Sequence, residues 1–324
     1  MRFTRHIGID YSGAQTPESR LKGLQVYESR NGRTPERIST PTEGAKNWTR
    51  LEVAQFCASA IDSGDPVIIG IDHAFSFPMS YMKRFGIETW DRFLDDFMRH
   101  WPTAHPHTYV DFVREGNPRT GETSELRLCE QWTAGAKSVF QFDVQGQVAK
   151  STHAGLPWLL WLRMMYEAKA RIHFWPFDGF DVPEGKSVVA EVYPSLFRRR
   201  YPKEGRTGDE HDAFCVAAWL AEMDRRGTLD YYFNPPLSLP ELRIGLVHGR
   251  LKAAEKEARM AAFKAGDIDL LEEAGQRFPL LAQRQSQATQ PFGGATQRDL
   301  AGRQAETGKP RDATAGASAV SGRL

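Results

Sequence analysis

Residues 6–15, HIGIDYSGAQ, and residues 66–75, PVIIGIDHAF, share the tetrapeptide Ile-Gly-Ile-Asp, which ends at Asp10 and again at Asp72. Each copy closes a short, β-branched apolar run bounded by turn residues, the pattern of a buried strand. An aspartate ending such a strand stands where a parallel sheet opens to solvent. Ligands of open α/β sheets gather at that edge. If the two strands are neighbours, the carboxylates converge. Like charges so placed raise a pKa unless a cation lies between them. The pair therefore suggests a divalent-metal site with oxygen ligands.

Outward from these strands the chain alternates. Residues 23–30 and 35–42 read as a hairpin turning at Asn31-Gly32. Residues 48–64 predict a helix, with Leu51, Phe56, Ala60 and Ile61 apolar and Gly64 as its stop. The stretch from 73 to 151 holds one predicted helix, 87–101, and is otherwise rich in His, Pro, Thr and Gly. Residues 155–172 predict a second helix with Pro157 near its N-terminus. A buried strand follows at 186–195. Residues 209–227 predict an amphipathic helix with Phe214, Val216, Ala217, Leu220 and Met223 inward and Gly227 beyond its end. The expectation is an α/β domain over 1–235 with an insertion at about 79–151. A helical extension is expected over 236–282. Residues 283–324 are too poor in large apolar side chains to offset their ordering entropy, and a disordered tail is expected there.

Composition excludes several classes. Of 324 residues, 40% are hydrophobic and 26% charged, ordinary values for a globular chain. The net charge of +1 gives no global attraction to nucleic acid or membrane, so such binding needs a local patch. Cys57, Cys129 and Cys215 are scattered and form no paired motif, which argues against a disulfide framework or a zinc ribbon. No apolar run reaches the length of a membrane span, and the N-terminus lacks a signal-peptide core. A cytoplasmic protein is expected.

The acids sit in suggestive places. Glu191 lies inside the apolar run 188–193 and needs a metal or an arginine as partner. Asp209 and Asp212 open the last strong helix, where a cap and a dipole contact are the plainer roles. Asp10 and Asp72 could be turn residues. Arg198, Arg199, Arg200, Lys203 and Arg206 could seat phosphates or form a solvated charge run. Ser12 could orient water or phosphate, or serve its turn. Arg114, Arg119, Arg127, Lys137 and Lys150, near Tyr109, Trp132 and Phe140, could form a single-strand platform, although such aromatics more often fill a core. His73 and His211 flank acids and could move protons or simply pack. His100, His105 and His107 match no zinc spacing.

Taken in order, GIDYSGA (8–14), GIDHAFSFP (70–78), AEVYPSLF (190–197) and DEHDAFCVAAWLA (209–221) resemble the domain of unknown function 429 family, described as predicted nucleases of the RNase H-like superfamily. The resemblance covers residues 7–221. It departs from the family pattern where the proline after Asp72 is delayed to Pro78. It implies an RNase H-like central mixed five-stranded sheet flanked by helices. It also implies two Mg²⁺ or Mn²⁺ ions, with Asp10 bridging both, Asp72 on one, Asp212 on the other, and Glu191 and Asp209 completing the shell. Asp10, Asp72, Glu191 and Asp212 would be catalytic, Ser12, Arg198, Arg199 and Lys203 would meet the substrate, and nucleic acid would be the partner. Two other readings stand beside it. One is a non-catalytic module on the same fold that binds nucleic acid or protein. The other is a sugar-kinase or actin-like phosphotransferase, for which the second phosphate loop after Asp72 and a glycine-rich adenosine motif are missing.

Overall fold

The computed structural model describes residues 1–133, 135–144, 148–165 and 171–234. The expected helical extension and tail lie outside the described residues. A mixed six-stranded sheet organises the rest. Its strands are β1 (Arg5–Asp10), β2 (Gln25–Arg30), β3 (Glu36–Arg37), β4 (Val67–Asp72), β5 (Ile172–Trp175) and β6 (Ser187–Glu191). Their spatial order is β3-β2-β1-β4-β6-β5. The β1–β2 and β2–β3 pairs are antiparallel, and the β1–β4, β4–β6 and β5–β6 pairs are parallel.

The hairpin turns where expected. Asn31 and Gly32 both take positive φ, and the Arg33 N–H closes the turn on the Arg30 carbonyl at 3.0 Å. Its second strand is two residues long rather than eight. The sixth strand, β5, is a correction to the expected five. Residues 171–172 fall in or beside that strand, although the sequence reads them as the end of a helix. The helix concerned, α6 (Ala149–Met165), starts earlier and holds Pro157 inside it rather than at its first turn.

The two faces of the sheet are filled differently. Helices α1 (Arg50–Asp62), α3 (Trp90–His100) and α6 share a core with Ile7, Ile9, Ile69, Ile71 and Val189. The inserted stretch also carries the short helices α2 (Met79–Arg84), α4 (Val110–Arg114) and α5 (Leu128–Trp132). It is not a loose loop. Phe97, Trp101, Phe140 and Phe142, with Phe77 just before it, are buried and cluster around His153, and Phe93 packs on Phe77 and Phe97. On the opposite face, α7 (Gly208–Arg225) packs on Ile68, Val188 and Ala190 through Ala213, Val216, Ala217 and Leu220. The short helix α8 (Leu229–Phe233) follows.

The repeated tetrapeptide has a packing cause. A Cβ on Gly8 would stand 2.2 Å from the Ala213 carbonyl oxygen and 2.6 Å from the Ala217 nitrogen. A Cβ on Gly70 would stand 2.7 Å from a Val216 methyl. Only glycine lets α7 approach both central strands so closely. Two residues along each strand, on the same face, comes the aspartate.

Candidate acidic site

Asp10 and Asp72 are register partners across the β1–β4 pair. Adjacent strands lie about 4.8 Å apart, so the two carboxyls leave neighbouring backbones side by side. Both lie on the α7 face, toward the first turns of that helix. Burial holds the Asp10 carboxyl well above its ordinary range, and the charges of Asp72, Asp209 and Asp212 push it the same way. Burial, followed by the Asp212 and Glu191 charges, moves Asp72 up to about 8, against a smaller opposing pull from Arg198. Neither carboxyl makes a hydrogen bond or ion pair among the described residues. The plain turn-residue reading predicts local hydrogen bonds at these positions, and they are absent there.

Helix α7 delivers the other acids. Its N-cap is Thr207, whose hydroxyl accepts from the Glu210 N–H in a capping box. Asp209 is therefore not the cap. It lies two residues into the helix, one turn before Asp212, raised by desolvation and lowered by Lys22. Its Oδ2 and the Ser12 Oγ lie over Gly23, 3.3 and 3.5 Å from where a Cβ would be. Asp212 is half-buried, raised by desolvation and held against that by the Arg198 guanidinium, which donates to it at 3.1 Å.

The loop after β1 is fixed from behind. Arg50 is fully buried, and its Nε donates to the Ser12 carbonyl at 3.1 Å, with Nη2 reaching the Ala14 carbonyl. This positions Ser12 beside Asp10. The role of Arg50 is not legible in sequence, because it occupies the first turn of an ordinary helix.

Glu191 behaves differently from the other acids. It pairs in register with Ile71, not with Asp72. Its carboxylate receives two hydrogen bonds from Arg127, at 2.7 and 2.8 Å, and a third from the Phe75 N–H at 3.0 Å. Of the metal or arginine that the sequence calls for, the structure supplies an arginine, Arg127, brought by the insertion. Although burial opposes it, the Arg127 charge holds Glu191 below the usual carboxylate range.

The basic residues divide. Arg199 and Lys203 are exposed and form no ion pair among the described residues. Arg200 pairs with Glu222 and Arg206 with Glu204. In the insertion, Arg114 binds Asp143, Arg119 binds Asp96 and Lys150 binds Asp111. Phe140 is buried. Most of the proposed single-strand platform is thus spent on internal pairing and packing.

His73 is buried, with Nδ1 at 2.9 Å from the Ala74 carbonyl oxygen, and burial pushes it down to about 4. It is a neutral packing residue. His211 packs against Cys215 Sγ at 3.5 Å.

Among the described residues, no three His, Cys, Asp or Glu side chains stand in ready-made metal-ligating geometry. The donor chemistry nonetheless suits a hard cation. Asp10, Asp72 and Asp212 present oxygen only, two of them without a hydrogen-bond or ion-pair partner among the described residues, and burial and repulsion from neighbouring acids raise all three. Among the described residues, no helix is long and apolar enough to cross a membrane.

No family model matches the chain, and no solved structure matches it. Short stretches are similar to curated ATP-dependent DNA helicases named RecG. The protein of Escherichia coli K12 is 66% identical over 35 residues, 11% of this chain and 5% of the helicase. That of Pasteurella multocida Pm70 is 70% identical over 33 residues, 10% of this chain and 5% of the helicase. That of Haemophilus influenzae Rd is 30% identical over 98 residues, 28% of this chain and 14% of the helicase. The chain thus spans a small fraction of the length of each.

Proposed function

We propose that the chain is an RNase H-like nuclease that hydrolyses phosphodiester bonds with Mg²⁺ or Mn²⁺. The observation that carries this reading is the in-register pairing of Asp10 with Asp72 beneath the acidic first turns of α7. Such a cluster is costly unless a cation compensates it. Asp10, Asp72 and Asp212 would hold the metal, with Asp209 at its outer side. Bound there, a pair of ions would polarise the scissile phosphate and supply the attacking hydroxide. The protein's own groups would do the rest. Arg50 holds the Ser12 loop in place, so the Ser12 hydroxyl can face a phosphate oxygen. Arg198, Arg199 and Lys203 follow β6 in the chain, are exposed and would bind the flanking phosphates. The likeness to DNA helicases agrees with a nucleic-acid partner. A test is cleavage of labelled single-stranded, duplex, hybrid and branched substrates with Mg²⁺ or Mn²⁺, against an EDTA control.

A second reading is a non-catalytic binding module on the same fold. It is favoured by the lack of a ready-made ligand triad among the described residues and by the engagement of Glu191 with Arg127. It predicts oligonucleotide binding that is indifferent to metal.

A further inference from the structure

The strand register separates Glu191 from the other acids. Side chains alternate along a strand, so Glu191 shares the face of its partner Ile71, while Asp72 takes the other face with Asp10. Ile71 belongs to the core under α1 and α6; Gly70, one residue back, faces α7. Glu191 therefore stands behind the acidic cluster rather than within it. Both its oxygens are occupied on that side, one by Arg127 Nη2 and the other by Arg127 Nη1 and the Phe75 N–H. The pair is well shielded, with the Arg127 side chain 12% exposed and that of Glu191 29%. A third Arg127 group, Nε, donates to Glu130 at 3.0 Å. The segment that carries Arg127 is itself fixed: Glu125 binds Arg84 at 2.7 Å, and its carbonyl accepts from Ser138 Oγ at 2.6 Å.

We propose that Arg127 is a positioning residue of the acidic site. It holds Glu191 out of the metal-binding set and cancels its charge, leaving Asp10, Asp72 and Asp212 as the ligands. The inserted segment is thereby tied to the end of the sheet where the metal binds. This inference rests on the metal reading proposed above. Among the described residues neither side chain hydrogen-bonds Asp10, Asp72 or Asp212, so the expected effects act through charge and are about tenfold.

The test is calorimetric titration of Mn²⁺ into the full chain, with Arg127→Met, Glu191→Gln, the double variant, and Asp10→Asn as a reference. Removing Arg127 leaves Glu191 uncompensated, and by this added negative charge Mn²⁺ should bind about tenfold more tightly. Glu191→Gln removes one of the two carboxylates facing Arg127 and leaves it with Glu130 alone, so the positive charge beside the site is less fully balanced and binding should weaken by up to about tenfold without being lost. The double variant should return close to the wild-type affinity. If Glu191 is a ligand, Glu191→Gln and the double variant lose Mn²⁺ as completely as Asp10→Asn, and the proposal is overturned. It is equally overturned if Arg127→Met folds and its affinity is unchanged. Should Arg127→Met fail to fold, Glu191→Gln decides between the two roles. Absence of Mn²⁺ binding in the wild type is a different result: it defeats the nuclease reading itself, and this inference with it.

Discussion

Replacing Asp72 by Asn should change how stability depends on pH, and the sign follows from the site. Burial and neighbouring acids move Asp72 from 3.8 up to about 8. Between these values the folded protein keeps a proton that the unfolded chain has released. Unfolding free energy therefore falls as pH rises, by up to about 1.4 kcal/mol per pH unit from this group. From pH 6 to pH 8 the loss is about 2–3 kcal/mol. For a domain of this size that is roughly 4–10 °C of melting temperature. Asparagine mimics the protonated acid in size and has nothing to titrate. The assay is thermal unfolding in EDTA at pH 6 and pH 8 for both proteins. Wild type should lose several degrees more than Asp72→Asn over this interval, and at pH 8 the variant should be the more stable protein. Parallel slopes would refute the reasoning, because they would mean that the Asp72 carboxyl is not held protonated by its surroundings.

The same geometry fixes other outcomes. Gly8→Ala places a Cβ against the backbone of α7 from two sides, so it should cost about 3 kcal/mol, read as a shift of the denaturation midpoint. Arg199→Ala and Lys203→Ala should weaken oligonucleotide binding in fluorescence anisotropy, each lowering the salt-dependence slope by about 1. Asp209→Asn should reduce cleavage far less than Asp10→Asn in the same assay, since Asp209 is exposed and faces Lys22 at the margin of the cluster.

Much of the frame is legible because one local pattern implies one local structure. The twin tetrapeptide predicts two strands with acids at their ends, and the structure pairs them in register. Asn31-Gly32 predicts the hairpin turn through its backbone preference alone. The inward face assigned to α7 is buried at each of its five positions. The misreadings share a cause, which is that distant partners override local signals. Strand β5 has only four residues, His173 among them, and its strand character comes from pairing with β6. Pro157 resembles a helix start, yet α6 begins eight residues earlier, where Ala149, Ser151 and Thr152 are buried and Thr152 Oγ1 accepts from the Ala74 N–H. Asp209 resembles a cap because Thr207 and Glu210, the true capping pair, straddle it. The partner of Glu191 is 64 residues away, and no spacing rule joins it to Arg127. Parity along β6 would have separated Glu191 from Asp72, had the register with β4 been known.

The central claim is metal-dependent hydrolysis at the Asp10–Asp72 pair. Its most direct test is single-turnover cleavage of a labelled substrate panel by wild type and Asp10→Asn with Mn²⁺, after both are shown to be folded. The account predicts that wild type cuts at least one substrate, that EDTA stops it, and that Asp10→Asn slows it by about a thousandfold or more, equivalent to roughly 4 kcal/mol of lost transition-state stabilisation. A folded wild type that cuts none of the substrates with Mn²⁺ or Mg²⁺, or an Asp10→Asn protein that cuts as fast as wild type, would contradict it.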